Sequence, residues 1–496
     1  MVNKISITGI LALSLTSILH AEDLGSMWGT AEEEAKYYPI VDVPIPSTIP
    51  MRTGSFEILP DGRLAVGTRR GDIYFIKGAF ESPPVPKYHL FASGQDEIFG
   101  LSWKDGAMTA TQFGEVTRIS DTNGDEVADR YDTLSNNWGF AEYHEFAFGS
   151  KHDPEGNIWV ALGLSSSYKS HNLFRGWAVK VTPDGKMIPV CSGLRSPAGV
   201  GPNAEGVMFA IESQGPWNGC CSLKHLKQGG FLGHPASYNW YPFVPGMDAP
   251  TVVPNSPSRL QVEKKRVKEM VPPAVRFPYI KMGRSISGFS LNQTGGKFGP
   301  FENQIFLGDY TLSIILRATT EEINGVWQGA CYPFREGLAT GVMNVEFSPK
   351  GQLIAGGFTT NRQWPVRGAK PFALQRIDWS GLTPFEIKEI NIKKDGFLVN
   401  FTQPVDPQVA AKTDAYTVTT YTHKYAAGYG SPEVDQTTPK VTKAVPAADG
   451  LSVMVYLDKI VEGHIHDFDL GPMKSKDGKK LLHTKAYYTV NEIPKN

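Results

Sequence analysis

Four glycines, Gly62, Gly106, Gly156 and Gly206, punctuate the first half of the chain at intervals of 44, 50 and 50 residues. Around each lies the same unit: an apolar strand, a turn with Gly, a strand rich in Ile, Leu, Val or Ala, then another Gly and strand. The first unit is Phe56-Glu-Ile-Leu-Pro-Asp61-Gly62-Arg-Leu-Ala-Val-Gly67 followed by Gly71-Asp-Ile-Tyr-Phe75. Further copies run Gly100 to Ile119, Phe146 to Val181 and Gly199 to Ala210. Two more run Ser287 to Asp309 and Val345 to Ile377. The period suits a four-stranded antiparallel blade, with the Gly in the hairpin. A lone blade leaves its edges unpaired and one apolar face wet, so it is stable only within a closed ring. Six copies predict an all-β chain whose main body, residues 51–382, is a six-bladed β-propeller. The stretch 217–285 lacks the strand–Gly–strand signature, carries Lys264-Lys265-Arg266 and several prolines, and reads as an insertion.

After Pro384 the texture changes. Phe385-Glu-Ile-Lys-Glu-Ile-Asn-Ile and Gly396-Phe-Leu-Val-Asn-Phe401 alternate apolar with polar residues, as strands covered on one face do. Residues 383–496 therefore predict a small Ig-like β-sandwich. The link, Thr383-Pro384, is short enough that the two units should dock. Composition agrees with this reading and excludes others. Lys+Arg 49 against Asp+Glu 50 gives a formal charge of −1, far from the basic excess a nucleic-acid binder needs. Gly 51 and Pro 36 among 496 residues favour turns over long helices.

Residues 1–21 read as a secretory leader, with Lys4 ahead of the apolar run Ile5 to Leu19 and the acidic Glu22-Asp23 after Ala21. The run is short for a bilayer span, which needs about 20 residues. No second stretch of that length follows, so the expected destination is periplasmic or secreted, without a membrane span in the mature chain. Residues 22–50 form an N-terminal segment before the ring. In an oxidising compartment Cys191, Cys220, Cys221 and Cys331 would form two disulfides, with three possible connectivities. Cys220 and Cys221 would either pair with each other as a vicinal disulfide or, the favoured expectation, each pair with Cys191 or Cys331.

Asp121-Thr-Asn123-Gly-Asp125-Glu-Val127-Ala-Asp129-Arg-Tyr-Asp132 is the sharpest local motif. Side-chain oxygens fall at loop positions 1, 3, 5, 9 and 12, with the Val127 carbonyl at 7, as in a loop that wraps Ca²⁺. Glu126 stands where such loops usually place Gly, and Gly124 is the expected turn residue. The ion's role would be structural.

Two stretches carry a family resemblance: Ser192-Gly193-Leu194-Arg195-Ser196-Pro197-Ala198-Gly199 and Glu212-Ser213-Gln214-Gly215-Pro216. They resemble the soluble glucose/sorbosone dehydrogenases, six-bladed propellers that use pyrroloquinoline quinone (PQQ) and Ca²⁺. The chain also resembles exported dehydrogenase-like proteins of planctomycetes and their relatives. That likeness runs through Lys297-Phe-Gly-Pro-Phe301, Gly325 to Ala330, Phe401 to Val405 and Tyr429-Gly-Ser-Pro-Glu433. The resemblance implies an oxidoreductase acting on a sugar or sugar-derived alcohol. It implies His144 as general base and Arg195 as the cation facing the quinone. Ser196 and Gln214 would border the cofactor, and Gly215 and Pro216 would offer carbonyls to its Ca²⁺. An imidazole suits the base because it can be neutral at working pH, and a guanidinium fork suits a tricarboxylate. Arg284, Arg335 and Arg362 are further cationic candidates. Ser196 departs from the family, which has Asn there. The sequence holds no C-x-x-C-H haem motif, so electrons would pass to a separate acceptor such as a soluble cytochrome. The alternative expectation is a non-catalytic carbohydrate- or protein-binding propeller that has lost the cofactor. A Ca²⁺-dependent lactonase or lyase would need inward-facing carboxylate and amide ligands.

Overall fold

The structure, a computed structural model, describes residues 27–360 and 365–495. The leader and Arg362 lie outside them. Six four-stranded antiparallel blades form a propeller. The first blade is Thr53–Ile58, Leu64–Thr68, Ile73–Lys77 and Lys87–Ala92, and the second is Gly100–Lys104, Ala107–Thr111, Val116–Ser120 and Arg130–Ser135. The third runs from Ala147–His152 to Met187–Ser192, and the fifth from Ile286–Leu291 to Val326–Arg335. The first strand of each blade packs on the first strand of the next, and that of the sixth on that of the first, so the ring is closed. At the axis the backbones nearly touch: a Cβ on Gly100 would lie 2.2 Å from the Gly149 carbonyl oxygen. The four period-marking glycines all sit in the inner hairpin at φ between +74° and +85°, a conformation that costs glycine little.

Three features depart from the sequence reading, the first two through strand pairings made far along the chain. First, the sixth blade has only three strands of its own, Val342–Phe347, Gln352–Phe358 and Phe372–Asp378. Its fourth is Ile40–Asp42, paired Ile40 to Ile377, so the propeller begins before residue 51. Second, the fourth blade passes through the expected insertion. After Pro197–Pro202 and Met208–Glu212 come Cys221–His225 and Val275–Phe277, which pair directly with each other. Only the segment between those two strands is inserted, and it holds a 3₁₀ helix, Pro235–Phe243, and a short α-helix, Leu260–Arg266. Third, the four cysteines are free and buried, and burial raises every thiol pKa, those of Cys220 and Cys221 to about 12. The expected disulfides do not form, and the thiols act as small core residues.

Residues beyond the ring form two facing sheets. One is Ile387–Lys393, Gly396–Phe401, Ser452–Leu457 and Val441–Pro446. The other, built on Thr417–Tyr425, Ile465–Asp469 and Lys485–Thr489, continues into the fifth blade through Gly329↔Thr489, Ala330↔Tyr488 and Cys331↔Tyr487. Ile390, Phe397, Val399, Phe468 and Tyr488 fill the sandwich core together with Ala330 and Tyr332 of the blade. Burying each such large side chain contributes about 1.5–3 kcal/mol. The sandwich is thus a docked extension of the ring and has no free edge there. No helix of the described residues is long and apolar enough to cross a membrane.

Candidate active site

At one end of the propeller axis lies a cavity of about 280 Å³. Every blade contributes to it: Arg69 from the first, Phe99 from the start of the second, and Tyr143, His144, Phe146 and Phe148 from the third. The fourth gives Arg195 to Ala198 and Ser213, the fifth Ser285, Ser287 and Tyr310, and the sixth Met343, Phe358 and Thr360. Tyr429 of the sandwich also borders it. Aromatic rings thus alternate with hydroxyl side chains around two guanidinium groups.

His144 sits on the turn leading into the third blade at φ +73°, and its Nδ1 lies 2.6 Å from Ser167 Oγ. Ser167 itself is left-handed at φ +69°. Two non-glycine residues held in this costly region and bonded to each other need the surroundings to over-determine them. Glu145 does much of that. Its fully buried carboxylate accepts the Ala141 and Glu142 N–H groups at 2.7 and 2.9 Å, Asn172 Nδ2 at 2.7 Å, and the Ser165 hydroxyl. Burial would raise its pKa, but these bonds outweigh it and hold the group below the usual carboxylate range. Burial, and then the charge of Arg195, lower His144 to about 4. The imidazole is therefore neutral at pH 7. The Ser167 hydroxyl can donate to or accept from Nδ1, so this contact orients the ring in either neutral tautomer.

Arg195 is 3% exposed. Glu212 accepts its backbone N–H, and its guanidinium donates through Nη1 to the Gln214 carbonyl at 2.7 Å. Glu212 is in turn paired with buried Lys224, which leaves the Arg195 guanidinium without a carboxylate partner among the described residues. Its Nε is buried with no hydrogen-bond partner. Gly215 makes the room: a Cβ there would meet the guanidinium carbon at 2.4 Å. Arg69 differs, being clamped in bidentate fashion by Glu97 and stacked 4.9 Å over Phe358.

Among the residues singled out from sequence, His144, Arg195 and Ser196 line one cavity. Gln214, Gly215 and Pro216 lie behind Arg195 and do not open onto it. The Gly215 carbonyl accepts Gly430 N–H at 3.2 Å, Gln214 Nε2 donates to the Gly219 carbonyl at 3.0 Å, and Pro216 bridges to Tyr429. The expectation that Gly215 and Pro216 hold a cofactor Ca²⁺ is corrected: strand-like pairing with the sandwich has taken that turn. Arg284 lines no part of the cavity, and Arg335 is bonded to Glu34 at 3.1 Å well away from it. Tyr429, Arg69 and Ser167 were not singled out as site residues. Only Tyr429 carried a signal, since it opens the Tyr429-Gly-Ser-Pro-Glu433 motif.

The acidic loop lies elsewhere, at the outer edge of the second blade. Asp121 accepts the N–H groups of Asn123, Gly124 and Glu126 at 3.1, 2.7 and 2.8 Å. Asn123 accepts that of Asp125 at 2.9 Å, and Asp125 that of Val127 at 2.8 Å. Asp129 holds Thr122, while Asp132 is turned away onto Arg130 at 2.8 Å. Glu126 takes the left-handed position at φ +65°, as Gly124 does at +82°. Among the described residues, no group of three or more His, Cys, Asp or Glu is placed to hold a metal ion.

The cavity residues fit a planar anionic group: flat aromatic walls and the Arg195 guanidinium, which has no carboxylate partner among the described residues. They do not fit a Ca²⁺ ion at Gly215–Pro216.

No protein-family model and no curated protein matches the chain. Solved structures similar to it include the PQQ-bound aldose sugar dehydrogenase of Streptomyces coelicolor, at 13% identity and TM-score 0.45, covering 68% of this chain and 97% of that one. The holo PQQ domain of pyranose dehydrogenase from Coprinopsis cinerea matches at 12% and 0.46, over 69% and 95%. A Trichoderma reesei enzyme of carbohydrate-active family AA12 matches at 12% and 0.48, over 70% and 97%.

Proposed function

We propose that this protein is an exported oxidoreductase that oxidises a sugar or sugar-derived alcohol with PQQ as cofactor. The observation that carries the reading is a neutral imidazole and a guanidinium without a carboxylate partner among the described residues, both lining the same aromatic cavity. His144 Nε2 takes the hydroxyl proton, while the Ser167 bond and the Glu145 carboxylate keep the ring aimed. Arg195 holds a carboxylate or quinone oxygen of the cofactor, and Phe99, Phe146 and Phe358 exclude water from it. A quinone held there would supply the two-electron acceptor for the hydride of the carbinol carbon, the substrate leaving as a carbonyl compound. Electrons then leave to a separate carrier such as a soluble cytochrome. A Ca²⁺ ion in the Asp121–Asp129 loop is a second, purely structural proposal, supported by the density of carboxylates there.

Titration of the protein with PQQ, followed by dye-linked oxidation over a sugar panel, tests the reading. The expected result is a spectral shift at micromolar cofactor that Arg195→Gln weakens. No shift would leave the second reading, a carbohydrate-binding propeller without cofactor. That reading is favoured by one observation, the engagement of the Gln214 and Gly215 carbonyls by Arg195 and Gly430.

A further inference from the structure

The sandwich reaches into the mouth of the propeller cavity. Residues 426–431 run along the 214–219 loop and are stitched to it by backbone bonds: Trp217 N–H to the Ala426 carbonyl at 2.7 Å, Gly430 N–H to that of Gly215 at 3.2 Å, and Ser431 N–H to that of Gly219 at 3.1 Å. Gly430, held at φ +65°, packs on the Gln214 side-chain amide, which a Cβ there would meet at 2.8 Å. This fixes Tyr429, whose ring centroid lies 5.1 Å from the Arg195 guanidinium carbon. Tyr429 nevertheless stays 54% exposed, and Tyr143, beside His144 on the same mouth, is 56% exposed.

A tyrosine locked by its backbone, with more than half its surface in water, costs apolar hydration that a ligand ring laid on it would recover. The neighbouring wall is rich in hydroxyls, including Ser196, Ser213 and Thr360. Flat apolar faces beside hydroxyl edges complement a pyranose ring, which is apolar on its faces and polar around its rim. The cavity beneath holds one reacting unit against His144 and Arg195, and the two tyrosines lie at its opening. Resting on the oxidoreductase reading for the site itself, we infer that the substrate is an oligosaccharide rather than a free hexose. Its second sugar ring rests on Tyr429, with Tyr143 alongside. Tyr429 is then a specificity-determining residue supplied by the sandwich, which makes that unit part of the binding site.

Calorimetric binding of glucose, cellobiose, cellotriose and maltotriose to the full-length mature protein tests this without requiring turnover. The trisaccharide-over-glucose affinity ratio should fall about 3- to 10-fold in Tyr429→Ala and be kept in Tyr429→Phe and Tyr429→Trp, whose rings still stack. An equal loss for every chain length would overturn the inference and leave the oxidoreductase reading standing. Binding of none of these sugars would also overturn it, and the cofactor titration then decides the wider reading by itself. Circular dichroism of Tyr429→Phe serves as the folding control.

Discussion

His144 and His483 are both withdrawn from water and both bonded through Nδ1, yet one is neutral and the other cationic at pH 7. His483 lies where the N-terminal helix Ala31–Tyr37, the propeller and the sandwich meet. Its Nδ1 is 2.6 Å from Glu386 and its Nε2 is 2.9 Å from Glu34, and Glu34 also takes Arg335. Burial alone would lower its pKa, but the two carboxylates overcome that and hold it at about 9. His144 has a hydroxyl partner and a nearby cation, so burial and Arg195 both act downward. The difference teaches what burial cannot do by itself: the partners decide the charge. A histidine between carboxylates becomes a staple, and one between a serine and an arginine becomes a base.

Breaking each histidine should therefore damage different properties. His144→Ala should lower turnover of the PQQ-loaded protein by about 10²–10⁴ with little change in the urea midpoint, because it removes proton transfer while the Glu145 bonds still hold the loop. His483→Ala should do the reverse. It leaves Glu34 and Glu386 buried without their cation and should cost about 3–5 kcal/mol in urea unfolding. The pH dependence sharpens the contrast. His483 is raised in the folded state, so its stabilisation is complete below the unfolded pKa near 6.5 and is lost as pH rises through about 9. Denaturation curves should show an alkaline decline of about 3 kcal/mol that His483→Ala abolishes. His144 is lowered, so its share is present above about 6.5 and is lost as pH falls through about 4. The acid limb of kcat/KM should fall near the same value. The smallest effect concerns the acidic loop: added Ca²⁺ should raise the thermal midpoint by about 1–2 °C, and Asp121→Asn should remove that gain.

The ring was legible because its signal is local. Gly62, Gly106, Gly156 and Gly206 mark hairpins whose strands are neighbours in sequence, so period and patterning suffice. What escaped depends on pairing across long separations. Ile40–Asp42 closes the sixth blade, and Val275–Phe277 completes the fourth after the insertion. Lys485–Thr489 extends the fifth. Ile40–Asp42 and Val275–Phe277 are three residues each, too short to show a pattern, whereas Lys485–Thr489 reads as a strand and only its partner does not show in sequence. In the site, His144 and Arg195 were assigned by the resemblance, with side-chain chemistry in agreement, and they share a cavity. Gly215 and Pro216 were assigned by resemblance, and their backbone serves the sandwich instead. Tyr429 stands more than 200 residues from Arg195 in sequence, and only the folded chain brings the two together. The cysteines show the same limit, since their number permits disulfides but all four are free and buried in the fold.

The account stands on His144 being an uncharged base beside Arg195. Imidazole NMR of the ¹⁵N-histidine-labelled protein, with His144 assigned by comparison with His144→Gln, reads that state directly. The account predicts titration near 4 and an upward move in Arg195→Gln. A His144 that titrates near 6.5 and ignores Arg195→Gln would contradict it.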